Sequence, residues 1–354
     1  MEDHNVNETD SIMLTVLIIC HNQKDVVRRC IDSVLQQKTT FPTEVIVSDD
    51  RSNDGTREML LNEYKNKVIS TFFNSDTYNT SFTLERSGYN RLNGLRLARG
   101  KYIIHTDGDD FFTSTDLFQA MVDTLEKHPE CSMCCQNYCI LDSNNIDAPH
   151  IPQIKNPIMF KDNIVSPQLF FSKVQLVNAC FCVRRSSNFN SANLWGGTYD
   201  DNYITARYIG NGKIAILNRC DFVYVKYSHS TCATMADADK KIIFQAPIGV
   251  AELSPFVAGA MLRLYTYSFF VVSWHYVARK KVSEEIQAFC GRFNSFIYSN
   301  LTNNFYFMNW LRYLLICIVS AFMVKTKYKP GYLLSILYKL AIGKVTSFVN
   351  LNTK

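Results

Sequence analysis

The sequence predicts an α/β fold, a sheet of largely parallel strands flanked by helices, and three observations carry that expectation. Near-continuous apolar and β-branched runs at 14–20 and 44–48 have the composition of strands buried on both faces. Between them, from Asp25, the positions Val26, Val27, Cys30, Ile31, Val34 and Leu35 recur at the spacing of an amphipathic helix, with Arg28, Arg29 and Asp32 facing outward. A third apolar run, 102–104, leads into Asp107-Gly108-Asp109-Asp110, three carboxylates around one glycine. Strand, helix, strand in immediate succession is a βαβ unit, which implies a right-handed crossover and parallel neighbours.

Composition bounds the answer. A chain of 354 residues accommodates one large domain and an appendage, and an apolar fraction of 47 % supplies a sizeable core, which excludes a disordered protein. The twelve cysteines are scattered, the first ten residues are polar and acidic, and no apolar signal segment precedes the first strand. These features suggest reduced thiols and a cytosolic location. The net charge of +5 is unevenly spread: residues 1–235 carry 23 basic and 27 acidic side chains, residues 236–354 carry 14 and 5. The basic part is also strongly apolar, which points to an anionic lipid surface rather than to nucleic acid.

After the strand at 44–48 the chain reads Asp49-Asp50-Arg51-Ser52-Asn53-Asp54-Gly55-Thr56, then a helix over 57–66. Ligands of open α/β sheets settle beyond the carboxyl ends of strands, so Asp50 is placed to accept hydrogen bonds from a base or a ribose. Asp54 to Thr56 reads instead as helix capping. A strand at 68–73 is followed by a polar loop, 74–83, placed to cover a ligand. Residues 91–100 read as a helix closed by Gly100 at its C′ position. Arg91 lies toward the ligand side, whereas Arg96 and Arg99 read as solvated helix charges.

Carboxylates as close as Asp107, Asp109 and Asp110 repel one another and lose solvation when enclosed, so a positive partner is required. A divalent metal is the usual one, completed by water and substrate phosphate, which makes Asp107-x-Asp109 a platform for a nucleotide diphosphate. Residues 116–127 form a helix with Leu117, Ala120, Met121 and Leu125 inward. The cysteines of 131–139 alternate as in a half-buried strand, and no second pair at ligand spacing completes a zinc site. A helix at 168–173 and a strand at 178–183 precede Asp200-Asp201, two acids at a helix start, where the dipole favours them whatever their function. Trp195 reads as a sugar-stacking platform or as core packing.

Together, Leu-Ile-Ile-Cys-His-Asn (17–22), Glu-Val-Ile-Val-Ser-Asp-Asp-Arg-Ser-Asn-Asp-Gly-Thr (44–56), Gly94-x-x-x-Ala-x-Gly-Lys-Tyr-Ile and Asp107-Gly-Asp-Asp resemble the family 2 glycosyltransferases of bacterial glycan biosynthesis. The resemblance covers residues 12–235. It implies the GT-A fold, a Rossmann-like mixed sheet flanked by helices, with Asp50 on the nucleotide base and Asp107 and Asp109 on Mg2+ or Mn2+ at the donor diphosphate. It further implies Asp201 as the general base of an inverting transfer, Asp200 in support, and Arg207 six residues on. The ending Tyr224-Val-Lys-Tyr-Ser-His229 resembles the family's Tyr-Arg-x-His type, so His229 contacts the metal or the diphosphate, or is structural. A family asparagine expected two residues before Gly94 is Leu92 here, and nothing is carried over from it.

The resulting expectation is a UDP-sugar-dependent transferase acting on a saccharide or a polyisoprenoid-linked glycan. The alternative is a nucleotide-binding or scaffold protein with a worn-out transferase domain. Residues 236–354 contain two mostly apolar stretches, 254–277 (with Arg263 and His275) and 305–324 (with Arg312), flanked by basic clusters. A central arginine costs several kcal/mol in a bilayer, so helices lying at the inner membrane surface are preferred over a span at 305–324. A packed helical subdomain or dimer interface remains the third option.

Overall fold

A computed structural model of the chain describes residues 11–74, 83–145, 147–149, 151–153, 163–167, 169–170, 180–185, 208–209 and 212–228. The chain divides into two compact units, one of residues 1–170 and 174–234, the other of 171–173 and 235–354. Every described residue belongs to the first. The stretches 254–277 and 305–324 lie outside the described residues, as do Trp195 and Arg207. Among the described residues no helix is long and apolar enough to cross a membrane.

The first strands follow the apolar runs closely. β1 (Leu14–Cys20) is buried at every position, and β2 (Thr43–Asp50) at all but its first. α1 (Lys24–Leu35) buries Val27, Cys30, Ile31 and Val34 as expected, but Leu35 at its end is exposed, because Gln36 closes the helix before the stripe returns to the sheet. α2 (Thr56–Glu63) and β3 (Ile69–Phe73) complete the second crossover. β1 pairs in parallel with β2 on one side and with β4 (Tyr102–Asp107) on the other, and β2 pairs in parallel with β3. In this register Cys20 is opposite Asp49, and Ile19 is opposite Asp107, so the acidic residues end at one edge.

α3 (Thr83–Leu95) starts earlier than the sequence suggests and stops at Leu95, so Gly100 is not its C′ residue. Gly100 serves a close approach instead. A Cβ there would sit 2.4 Å from the Thr15 amide nitrogen, and the Gly100 N–H donates to Thr15 Oγ1 at 2.9 Å. Arg99 is likewise no helix charge: its backbone N–H and guanidinium donate to Glu44 at 2.7 and 2.9 Å. Thr15 Oγ1 donates to the same carboxylate at 2.7 Å. Burial of Glu44 pushes its pKa up, but these donors more than offset it and hold the carboxyl below its usual range.

The sheet continues past β4 with a reversal. β9 (Phe181–Arg184) runs antiparallel between β4 and β6 (Cys131–Cys135), and β10 (Lys213–Ile216) and β8 (Asn163–Val165) extend the edge. The order is β3-β2-β1-β4-β9-β6-β10-β8, a mixed sheet. A second sheet, β5 (Phe111–Phe112), β11 (Phe222–Lys226) and β7 (Tyr138–Asp142), follows the acidic turn. It packs on α1 and α4 (Leu117–Lys127), with the Phe112 ring 5.0 Å from Phe118 and 5.4 Å from Phe222. The described cysteines are thiols, all buried except the partly exposed Cys220.

Candidate active site

The carboxyl ends of β2, β1 and β4 lie side by side. Neighbouring strands are about 4.8 Å apart, which puts the ends of β2 and β4 roughly 10 Å from each other across β1. Asp49 and Asp50 end β2, and Asp107 ends β4. The two acids of β2 differ in role. Asp49, fully buried, accepts from the Ser52 N–H at 3.1 Å and from its hydroxyl, closing the turn in which Arg51 takes φ +54°. Asp50 receives the Arg86 guanidinium at 3.2 Å, so it keeps an ion-pairing carboxylate at the crevice.

Asp54 caps, as its residue type suggests, and it caps two helices. Its carboxylate accepts from the N–H and hydroxyl of Thr56 at the start of α2, at 3.0 and 2.6 Å, and from the Lys24 N–H at the start of α1, at 3.0 Å. Burial opposes ionisation there, but these donors prevail and lower its pKa. The intervening Gly55 has φ +94°, a conformation that favours glycine.

α3 is laid across the strand ends by a polar stripe. Arg86, Asn90 and Asn93 follow i, i+4, i+7 spacing, where an amphipathic helix would carry apolar residues. The Asn90 amide donates to the Ser48 carbonyl at 2.9 Å, and Asn93 donates to Ser48 Oγ and Thr71 Oγ1, both at 3.1 Å. The helix can lie this close because Gly94 faces Leu17; a Cβ there would come within 2.3 Å of a Leu17 methyl. Beside Asn90, Arg91, its side chain only 3 % exposed, comes to 2.9 Å from Asp107 Oδ1. Arg91 therefore ends beside the acidic turn.

The acidic turn separates its three carboxylates. Asp110 is buried and turned away, accepting from the Val225 N–H of β11 at 2.9 Å, so its role is to anchor the turn. Gly108 lets the turn pass beneath α1, since a Cβ would lie 2.6 Å from Gln23 Oε1. Asp107 remains about one-third exposed. Asp109 is more enclosed, and burial together with the neighbouring Asp107 charge pushes its pKa up to about 7, against the weaker pull of Arg29 and Gln23. Arg29 Nη2 donates to the Asp109 carbonyl and to Tyr227 Oη, both at 3.3 Å, and the guanidinium lies 4.4 Å from the Phe111 ring centroid. Below Asp107 on β4, His105 is buried, and burial and then Arg91 lower its pKa well below the usual value.

Asp50, Arg91, Asp107 and Asp109 are thus brought to one edge. Asp200, Asp201 and His229 lie outside the described residues. Gln23, Arg29, Arg86, Asn90 and Asn93 are additional members of the site, and only the polar stripe of α3 carried a signal for them. Among the described residues no group of three His, Cys, Asp or Glu side chains is arranged to hold a metal ion. Two carboxylates, one about a third exposed and one more enclosed beside it, suit a hard cation that keeps water and phosphate as its other ligands.

Residues 15–188 match the family described as Glycosyl transferase family 2. An uncharacterized protein of Mycobacterium tuberculosis is 26 % identical over 216 residues, 61 % of this chain and 59 % of that protein. The chain therefore spans less than two-thirds of that relative's length. The poly(ribitol-phosphate) beta-glucosyltransferase of Bacillus spizizenii is 30 % identical over 109 residues, 30 % of this chain and 16 % of that enzyme. Among solved structures, S. aureus TarS 1-349 in complex with UDP-GlcNAc is similar in fold, with a TM-score of 0.56 at 16 % identity, covering 81 % of each chain.

Proposed function

We propose, from the premise that residues 15–188 are a glycosyl transferase family 2 domain, that the chain is an inverting glycosyltransferase. It takes its sugar from a nucleotide sugar, with UDP as the carrier. The observation that carries this reading is the assembly of Asp50, Asp107 and Asp109 at the carboxyl ends of neighbouring strands, with Arg86 paired to Asp50 and Arg91 to Asp107. Asp50 faces the base or ribose once Arg86 shares it. Asp107 and Asp109 hold Mg2+ or Mn2+, which when bound supplies positive charge to the departing diphosphate. Arg91, at 2.9 Å, holds the Asp107 carboxylate in place at the crevice. Asp201 takes the proton from the acceptor hydroxyl, with Asp200 beside it and His229 at the diphosphate end. The UDP-GlcNAc complex of TarS and the Bacillus spizizenii relative, named a beta-glucosyltransferase, support a UDP-sugar donor, and a saccharide or lipid-linked glycan is the acceptor proposed with it.

The domain boundary falls near residue 235. The basic, apolar residues 236–354 bring the enzyme to the inner membrane surface, where a polyisoprenoid-linked glycan presents its sugar, or they join two copies. Charge supports the lipid surface: 14 basic against 5 acidic side chains. Flotation with anionic vesicles tests it, and a full chain that stays in the soluble fraction rejects it. For the chemistry, Asp201→Asn and Asp109→Ala are assayed for transfer from UDP-sugars. Loss of turnover in both is expected, and near wild-type turnover in both overturns the assignment.

A further inference from the structure

Outside the crevice, two thiols touch. Cys139 in β7 and Cys220, in the corner between β10 and β11, are 81 residues apart in sequence, and their Sγ atoms are 3.0 Å apart. Cys139 is 1 % exposed, whereas Cys220 is partly exposed. The corner that carries Cys220 is fixed by several partners. The Asn137 N–H donates to the Arg219 carbonyl at 3.0 Å, and the Thr113 N–H to the Asp221 carbonyl at 2.9 Å. The Asp221 N–H donates to Gln136 Oε1 at 2.9 Å, and the Arg219 guanidinium donates to Asp116 at 2.5 and 3.1 Å. Groups held in contact this way react with each other at high effective concentration.

We propose that Cys139 and Cys220 form a dithiol oxidation site, which a small thiol-specific oxidant closes into an intramolecular disulfide. With diamide, the accessible Cys220 thiolate adds to the N=N bond, and the Cys139 thiolate then displaces the reduced nitrogen from that sulfur. Two S–H bonds are replaced by one S–S bond, and two electrons and two protons leave in the hydrazine product. Burial, followed by the contact with Cys139, raises the Cys220 pKa, so the reaction is slow at neutral pH and accelerates as pH rises. The bond staples β7 to the start of β11, the strand whose Val225 N–H holds Asp110. Cys134 and Cys182 also face each other across β6 and β9, but both are fully buried and out of the reagent's reach.

The test is a non-reducing peptide map of the full chain after diamide treatment and alkylation. Among the nine described cysteines it should show one linked pair, Cys139 to Cys220, absent in Cys139→Ser and in Cys220→Ser. The oxidised wild type should melt higher by on the order of 5–10 °C, reversibly with dithiothreitol, because the bond closes a long loop of the unfolded chain. Recovery of both cysteines alkylated overturns the proposal. So does a link between any other two of the described cysteines, such as Cys134 to Cys182, in place of Cys139 to Cys220.

Discussion

The two ends of the β1–β2–β4 segment treat their carboxylates in opposite ways. At the amino end, Glu44 takes hydrogen bonds from Thr15, from a backbone N–H and from the Arg99 guanidinium, and its pKa falls. At the carboxyl end, Asp109 is enclosed beside Asp107, its donors do not balance its burial, and its pKa rises to about 7. A buried carboxylate that the fold has satisfied belongs to the architecture. One whose burial outweighs its donors, at the carboxyl end of such a sheet, lies where open α/β sheets bind their ligands.

The contrast is broken most severely at the ligand end. Asp109→Ala and Asp107→Ala should each lower kcat/KM for transfer by roughly 100-fold or more, an effect of the size seen when transition-state charge loses a stabilising group. Asp109→Ala should keep its melting temperature, whereas Asp107→Ala should also lower it, because that change breaks the ion pair tying Arg91 of α3 to β4. Denaturation scans beside the kinetics separate the two effects. Arg29→Gln comes next. By releasing the Asp109 carbonyl and Tyr227 it should raise the Mn2+ concentration needed for half-maximal UDP binding about tenfold, as loss of a supporting group around metal ligands does. Arg29→Lys should recover part of it.

The pH dependence sharpens the same difference. Asp109 must be ionised to hold a cation, so apparent Mn2+ affinity should rise about tenfold between pH 6 and pH 8 as the group titrates near 7. Without a cation the sign for stability is reversed. A carboxyl whose folded pKa is raised contributes stability below its unfolded pKa, and that contribution is lost as pH rises through about 7. The thermal shift produced by Mn2+ should therefore be larger at pH 8 than at pH 6. Glu44→Gln, the control at the other end, should leave turnover within about twofold while costing about 1–2 kcal/mol of stability in urea, since one charge-assisted acceptor is lost. Its contribution is present above the unfolded carboxylate pKa and disappears as the medium is acidified through the lower folded value.

Much of this arrangement was legible in the sequence, for identifiable reasons. β1, α1 and β2 announce themselves through burial on both faces and a clear helical period, and Asp50, Asp107 and Asp109 through acids at strand ends. β5 is two residues long and β8 three, too short for any period to register. The reversal at β9 is a matter of how the chain returns to the sheet, which local pattern does not encode. Arg29 reads as an outward helix charge because its partners arrive from Asp109 and Tyr227, 80 and 198 residues away. In sequence Asp110 is one more acid of the turn with no part assigned, and only the approach of β11 reveals it as an anchor. Gly100 reads as a helix end and Arg99 as a helix charge because the local signal is the same, while a close approach to Thr15 explains the glycine and Glu44 accepts from the arginine.

The most direct measurement is calorimetric titration of UDP into the full chain, with Mn2+ and with chelator, repeated on Asp109→Asn. The account predicts saturable binding that requires the metal and is abolished, or weakened at least tenfold, in the variant. UDP binding of equal strength with chelator, or undiminished in Asp109→Asn, would contradict it.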